Sequence, residues 1–160
     1  MAVDMFLKLE GIPGESKDKQ KKGEIDVLAW SWGLSQSGTL HMGGGGGAGK
    51  ASFQDISVTT YYEKSTPKLM SFCAGGDHIP SGVLTVRKAG GKQEETIIYT
   101  LTDILVTSVS TGGSGGEDRL TVNFSLNFAK IETQYKEQKQ DGTLEAPVEF
   151  GYNIQENEKL

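Results

Sequence analysis

Leu120-Thr121-Val122-Asn123-Phe124-Ser125-Leu126-Asn127-Phe128-Ala129 decides the architecture of this chain. Leu, Val, Phe, Leu and Phe fall on one face; Thr, Asn, Ser, Asn and Ala fall on the other. A strict period of two marks a strand with one face in a core and the other in water. The pattern recurs on both sides. Thr96 to Val109 holds one or two strands in which Ile97, Tyr99 and Leu101 keep phase until Asp103. The phase changes around Ile104, which predicts a bulge or bend. Gly82 to Lys88 is a shorter strand, joined to the next through a hairpin tip, Ala89-Gly90-Gly91-Lys92. Phe53 to Tyr61 has the β-branched and aromatic content of a strand. Late in the chain, Val148, Phe150, Tyr152 and Ile154 alternate with Glu149, Gly151 and Asn153. The fold class is mainly all-β.

One segment reads as helix. Ser65-Thr66-Pro67-Lys68-Leu69-Met70-Ser71-Phe72-Cys73-Ala74-Gly75 offers a capping Ser or Thr, proline in the first turn and a terminating glycine. Leu69, Met70 and Cys73 share a face, so a short helix can plug one end of a barrel. Cys73 reads as a small buried hydrophobe. The rival is a thiol–imidazole dyad with His78, which needs a third group to orient the base.

Ile25-Asp26-Val27-Leu28-Ala29-Trp30-Ser31-Trp32-Gly33-Leu34 has two unlike faces. Leu28, Trp30, Trp32 and Leu34 are bulky, whereas Val27, Ala29, Ser31 and Gly33 shrink along the strand. The bulky face reads as core. The small face is either a tightly packed second layer or a smooth wall lining a cavity or channel, with Ser31 at its polar centre.

The stretch His41-Met42-Gly43-Gly44-Gly45-Gly46-Gly47-Ala48-Gly49-Lys50 imitates a nucleotide-binding loop. From Gly44 to Lys50 it spells G-x-x-x-x-G-K, but Ala51 stands where magnesium binding needs a hydroxyl, and strand-like sequence follows where a helix is needed. It reads instead as a flexible arm, about residues 35–51, whose His41, Met42, Gly43–Gly47 and Lys50 reach a neighbouring subunit. Asp103, Glu117 and Asp118 suggest paired acids, yet Glu117 and Asp118 point opposite ways if extended. They read as turn caps or as partners of Arg119.

Composition narrows the classes. At 160 residues the chain reads as one domain, 1–160, large enough to bury roughly 70% of its unfolded surface. Its 22 glycines cluster in loops rather than in a collagen-like period. A formal charge of −5 argues against a broad nucleic-acid surface. Asp4, Lys8 and Glu10 interrupt the first apolar run too early for a secretory signal, and no run approaches the ~20 residues of a membrane span. Cys73 is the single cysteine, so no internal disulfide or cysteine metal cage is expected. These features predict a chain made in the cytoplasm, with no membrane insertion, no cofactor and no catalytic or metal-binding residues.

Several segments together resemble the haemolysin-coregulated protein family, the tube-forming component of type VI secretion systems. They are Glu15–Lys19, Ile25–Gly33, Ser35–Gly38 with His41–Lys50, Lys64–Pro67, Arg87–Gly91, Ser108–Leu120, Asn127–Ala129 and Gly151–Ile154. The resemblance runs end to end and in order, without the added enzymatic domain that some members carry. It implies a compact β-barrel of two antiparallel sheets with one short α-helix. It further implies a homohexameric ring, with rings stacked on one another into a hollow tail tube. A spike protein at the tip, a contractile sheath outside and small effector proteins inside are the implied partners. The protein itself is exported through the type VI apparatus. In such a ring the small-residue wall of Ala29, Ser31 and Gly33 becomes the lumen, with Ser31 facing cargo.

A ring needs head-to-tail contact between different surfaces of identical chains, closed by rotation. Stacking must also overcome like charge, since six chains at −5 sum to −30. The hairpin tip with Arg87, Lys88, Gly90 and Lys92 is basic, and Glu156 and Glu158 are acidic. These two patches are expected on opposite ring faces, meeting at the seam, where screening over ~8 Å leaves only close pairs effective. The alternative readings are a monomeric ligand-binding β-barrel with the tryptophans around an internal cavity, and a nucleotide-binding protein using Gly44–Lys50.

Overall fold

The computed structural model describes residues 2–38 and 50–160. Within them run β1 (Val3–Leu9), β2 (Ile25–Ser31), β3 (Leu34–Ser35), β4 (Ser52–Phe53) and β5 (Ile56–Tyr61). Helix α1 (Ser65–Gly75) follows, then β6 (His78–Lys88), β7 (Glu95–Thr111), β8 (Thr121–Tyr135), β9 (Val148–Asn153) and β10 (Glu158–Lys159). All the strand pairings are antiparallel, and the strands form two sheets. The large sheet runs β8-β5-β2-β1-β6-β7 and closes when β7 pairs back onto β8, giving a six-strand barrel; β9 and β10 extend from it, and β3–β4 is a separate ribbon. This is the expected barrel with one short helix. β8 is its spine. One edge pairs with β7 from Val122 to Tyr135, while the other serves β5 through Leu126 and β9 from Lys130 onward.

The alternation that announced β8 is observed: Val122, Phe124, Leu126 and Phe128 are all buried. Leu120 is the exception, lying before the strand and 41% exposed. Leu7, Ile25, Leu84, Leu101, Ile104, Leu126 and Ile131 fill the barrel. The expected phase change in β7 is present, since Leu101 and Ile104 are both buried. Asp103 produces it by adopting a left-handed backbone, φ +56°, without any slip in pairing to β8. The true slip falls later, between Val106 and Ser108.

β2 departs from the expected faces. Its pairing with β5 slips between Val27 and Ala29. An extra residue in one strand switches the faces beyond it. Val27 is therefore buried and Leu28 is 39% exposed, the reverse of the sequence expectation. Past the slip, Trp30 and Trp32 do turn inward, packing edge-on to Tyr99 at centroid distances of 5.1 and 5.9 Å.

Helix α1 begins without a side-chain cap. Lys64 occupies the cap position, because the hydroxyls of Ser65 and Thr66 are committed to Glu63. Ser65 Oγ donates to Glu63 Oε1 at 2.8 Å, and Thr66 Oγ1 accepts from Glu63 N at 3.2 Å. Gly76, at φ +69°, ends the helix one residue beyond the expected glycine. Its core face is Leu69, Phe72 and Cys73 rather than Leu69, Met70 and Cys73, and it packs against β7.

One long loop was not anticipated as structure. Both faces of β1–β6 are buried: Leu7 and Leu84 point into the barrel, yet Phe6, Thr85 and Arg87 on the other side are also covered. Residues 11–24 form the cover, folded on themselves through Gly14 N to Gly23 O (2.8 Å) and Ser16 N to Glu24 O (2.9 Å). Arg87, 0% exposed, reaches it with a two-armed contact to the Asp18 carboxylate and a bond to Gln20 Oε1 at 3.3 Å. Its guanidinium also lies 4.9 Å from the Phe6 ring centroid.

Candidate functional site

The outward face of β2, β5, β8 and β7 carries the most distinctive surface. Registers align Ser31 with Ser57, Ser57 with Ser125, and Ser125 with Ser108. The adjacent row is Ala29, Thr59, Asn123 and Ser110. Each strand supplies these residues because its other face is needed for the core, so alternation leaves short polar side chains outside. The result is a panel four strands wide.

Side chains on the panel are bonded to one another. Thr59 Oγ1 donates to Asn123 Oδ1 at 2.6 Å. The slip after Val106 turns both Thr107 and Ser108 outward, and both reach the Ser125 hydroxyl, at 2.7 and 2.5 Å. Thr107 Oγ1 also donates to Asp55 Oδ2 at 2.7 Å, and Asn127 Nδ2 donates to Asp55 Oδ1 at 2.9 Å. Ser31 and Ala29 are exposed at the panel's edge; Gly33, half-buried, lies beyond β2 with the Gln54 side chain over it. Asp55 and Thr107 escaped the sequence reading. Only the register brings them together, although the polar alternation of β5 and β8 signalled the face.

The remaining expected sites fall elsewhere. His41, Met42 and Gly43–Gly47 lie outside the described residues; Lys50 is exposed beside Leu34, Phe53, Phe150 and Tyr152. Strand β4, not a helix, follows Lys50, and it pairs with β3, so the helix a phosphate loop needs after its lysine is replaced by a strand. Lys88 and Lys92 flank the β6–β7 turn, in which Gly90 and Gly91 take φ values of +80° and +59°. Arg87 does not belong to that basic tip, because it is buried under residues 11–24. Glu156 and Glu158 border the β9–β10 turn, held beside the middle of β8 by Ile154 N to Ala129 O at 2.8 Å.

Cys73 is partly buried against the core, while His78 Nδ1 lies 2.7 Å from Asp103 Oδ1. Arg119 pairs with neither Glu117 nor Asp118 among the described residues; it stacks over Tyr61, 3.6 Å from the ring centroid. No described group of three or more His, Cys, Asp or Glu side chains could hold a metal ion. No described helix is long and apolar enough to cross a membrane.

Charge is concentrated around residues 11–24. The Arg87 hydrogen bond holds the Asp18 carboxyl below the usual carboxylate range. Burial pushes Glu24, Asp26 and Glu63 upward, although Glu63 accepts bonds from Ser65 Oγ and from Glu15 N at 2.8 Å. The two shifts have opposite linkage. A lowered carboxyl stabilises the fold above its unfolded pKa and loses that contribution as pH falls through the folded value. A raised carboxyl makes the fold more stable as pH falls through its folded value toward the unfolded one. Urea midpoints are therefore expected to rise slightly as pH falls from 7 toward the ordinary carboxylate range, then drop below about 4 as Asp18 protonates. Arg87→Met is expected to remove most of the Asp18 part of the acid drop.

Comparison with known proteins agrees on a single family. The model for "Type VI secretion system effector, Hcp" matches residues 6–135. Protein hcp1 of Pseudomonas aeruginosa is 60% identical over 159 residues, covering 98% of each chain. A solved type six secretion system protein superposes with a TM-score of 0.93 at 28% identity, covering 99% of this chain and 100% of its own. Hcp1 from Salmonella typhimurium gives 0.80 at 33% identity, with both chains fully covered.

Proposed function

This chain belongs to the Hcp family of type VI secretion proteins, and from that premise we propose that it is a tail-tube subunit. Six copies close into a ring with the hydroxyl panel facing the bore, and rings stack into a tube. The tube is exported with the apparatus and carries small effector proteins past Ala29, Ser31 and Gly33. The arm carrying His41, Met42, Gly43–Gly47 and Lys50 reaches the neighbouring subunit. Lys88, Gly90 and Lys92 on one ring face meet Glu156 and Glu158 on the next, with a spike at the tip and a sheath outside.

The carrying observation is the contrast between the barrel's inside and its outer panel. Leu7, Ile25, Leu101, Ile104 and Leu126 fill the interior, so a passage through one barrel has no space. An enclosure assembled from several copies needs instead a broad external face free of bulky side chains. The rows ending at Ser31 and Ala29 are such a face. The filled interior equally disfavours a monomeric barrel that holds a ligand inside. Hcp proteins form a structural, secreted family, which supports the same reading.

Ser31→Trp tests it. The added ring would project from an exposed position, so the particle's mass by light scattering and its annular outline by negative stain should persist. Retention of a co-purified effector should fall about tenfold, the equivalent of ~1.4 kcal/mol. A maleimide-gold label on Ser31→Cys, in a Cys73→Ala background, should lie in the central hole. Labels on the outer rim, or a compact monomer at working concentration, would overturn the proposal.

A further inference from the structure

Hydrogen-bond accounting gives the panel a direction. A carboxylate only accepts, so Thr107 must spend its single proton on Asp55 Oδ2. The Thr107–Ser125 contact then requires Ser125 to donate, and the Ser108–Ser125 contact requires Ser108 to donate. All three hydroxyl protons run toward Asp55, so Thr107, Ser125 and Ser108 turn lone pairs outward. Asp55 is half-buried and already accepts from Thr107 and Asn127, yet a carboxylate has about four acceptor sites. It lies beside the Ser31–Ser108 row, joined to it through Thr107 and to β8 through Asn127.

We propose that Thr107, Ser125 and Ser108, anchored by Asp55, form an acceptor site for cargo segments that carry arginine or lysine. Guanidinium and ammonium groups present donors and no acceptors, so they complement hydroxyls whose protons are already committed and the open acceptor sites of Asp55. Neutral polar segments compete less well at Asp55, because they carry no charge to pair with its carboxylate. The chain's formal charge of −5 has the sign to draw such cargo in. A ring of six copies would repeat the site six times around the bore. The proposal rests on the bore assignment above for its biological meaning, but its chemistry is measurable separately.

Fluorescence anisotropy on assembled full-length protein provides the test. The probes are a labelled Gly-Ser peptide bearing two arginines and the same peptide with citrulline at both positions, in about 0.15 M salt. The arginine peptide should bind the unaltered protein about fivefold more tightly, the upper range for one exposed charge pair. Asp55→Asn preserves shape and can still accept the Thr107 proton; it should abolish the preference. Glu137→Gln removes the same charge from an exposed position after β8 and should leave it intact. Equal preference in Asp55→Asn, or equal loss in both variants, overturns the proposal. If the preference depends on Asp55 but gold at Ser31→Cys decorates the outer rim, the acceptor chemistry stands and the bore assignment falls.

Discussion

Arg87→Met is expected to lower unfolding free energy by about 3 kcal/mol, read as a lower urea midpoint with little change in slope. Arg87 is fully buried, and Asp18, Asp4 and Gln20 are all arranged around its guanidinium. Deleting one partner of a buried pair costs about 3–5 kcal/mol, because the other charge is left without its counter-ion. The lower end applies because the Asp18 side chain keeps 24% exposure and recovers some water. Methionine restores much of the stem's packing on Phe6 but none of the fork. Adding Asp18→Asn to Arg87→Met should then lower the midpoint little further, whereas Asp18→Asn alone should lower it toward that of Arg87→Met. Independent, additive losses would show that the two residues do not act as a pair.

Gly14→Ala should destabilise by about 2 kcal/mol and loosen residues 11–24 selectively. A Cβ at Gly14 would stand 2.5 Å from the Glu24 carbonyl oxygen and 2.7 Å from Ile25 Cα. Both are backbone atoms, the second at the start of β2, so no side chain can swing aside. The strain falls on the bonds from Gly14 N to Gly23 O and from Ser16 N to Glu24 O. Alanine restricts the unfolded chain and returns about 0.4–1 kcal/mol, which keeps the net effect below the raw steric cost. Hydrogen exchange should show faster amides at Gly14, Ser16 and Gly23, with protection in β7 and β8 preserved. Uniform loss across the barrel would mean that these residues are part of the global folding unit instead.

Sequence made the barrel's strands legible wherever one face met the core and the other met water. That is why β8 announced itself through Val122, Phe124, Leu126 and Phe128. The slip in β2 was not legible, because its extra residue leaves no compositional mark; Val27 and Leu28 were consequently placed on the wrong faces. Arg87 was misread for another reason. Beside Lys88 it looks like surface, and its burial depends on Asp18, 69 positions away. The same limit applied to the panel. Ser31 stood out on its own strand, but Ser57, Ser125, Ser108 and Asp55 join it only through registers linking four separate segments.

The closure of the barrel has a consequence for synthesis. β5 spans Ile56–Tyr61, but its second neighbour is β8, whose first paired residue is Thr121. Until about three quarters of the chain has left the ribosome, β5 presents an open backbone edge, and β7 has no partner on one side. Such long-range pairings close slowly, and unpaired edges invite wrong association between nascent chains. Crowded translation on one messenger would bring those open edges side by side. Slowing elongation between β7 and β8 would then lower the yield of soluble product more than the same delay after Tyr135, when the circle is already shut.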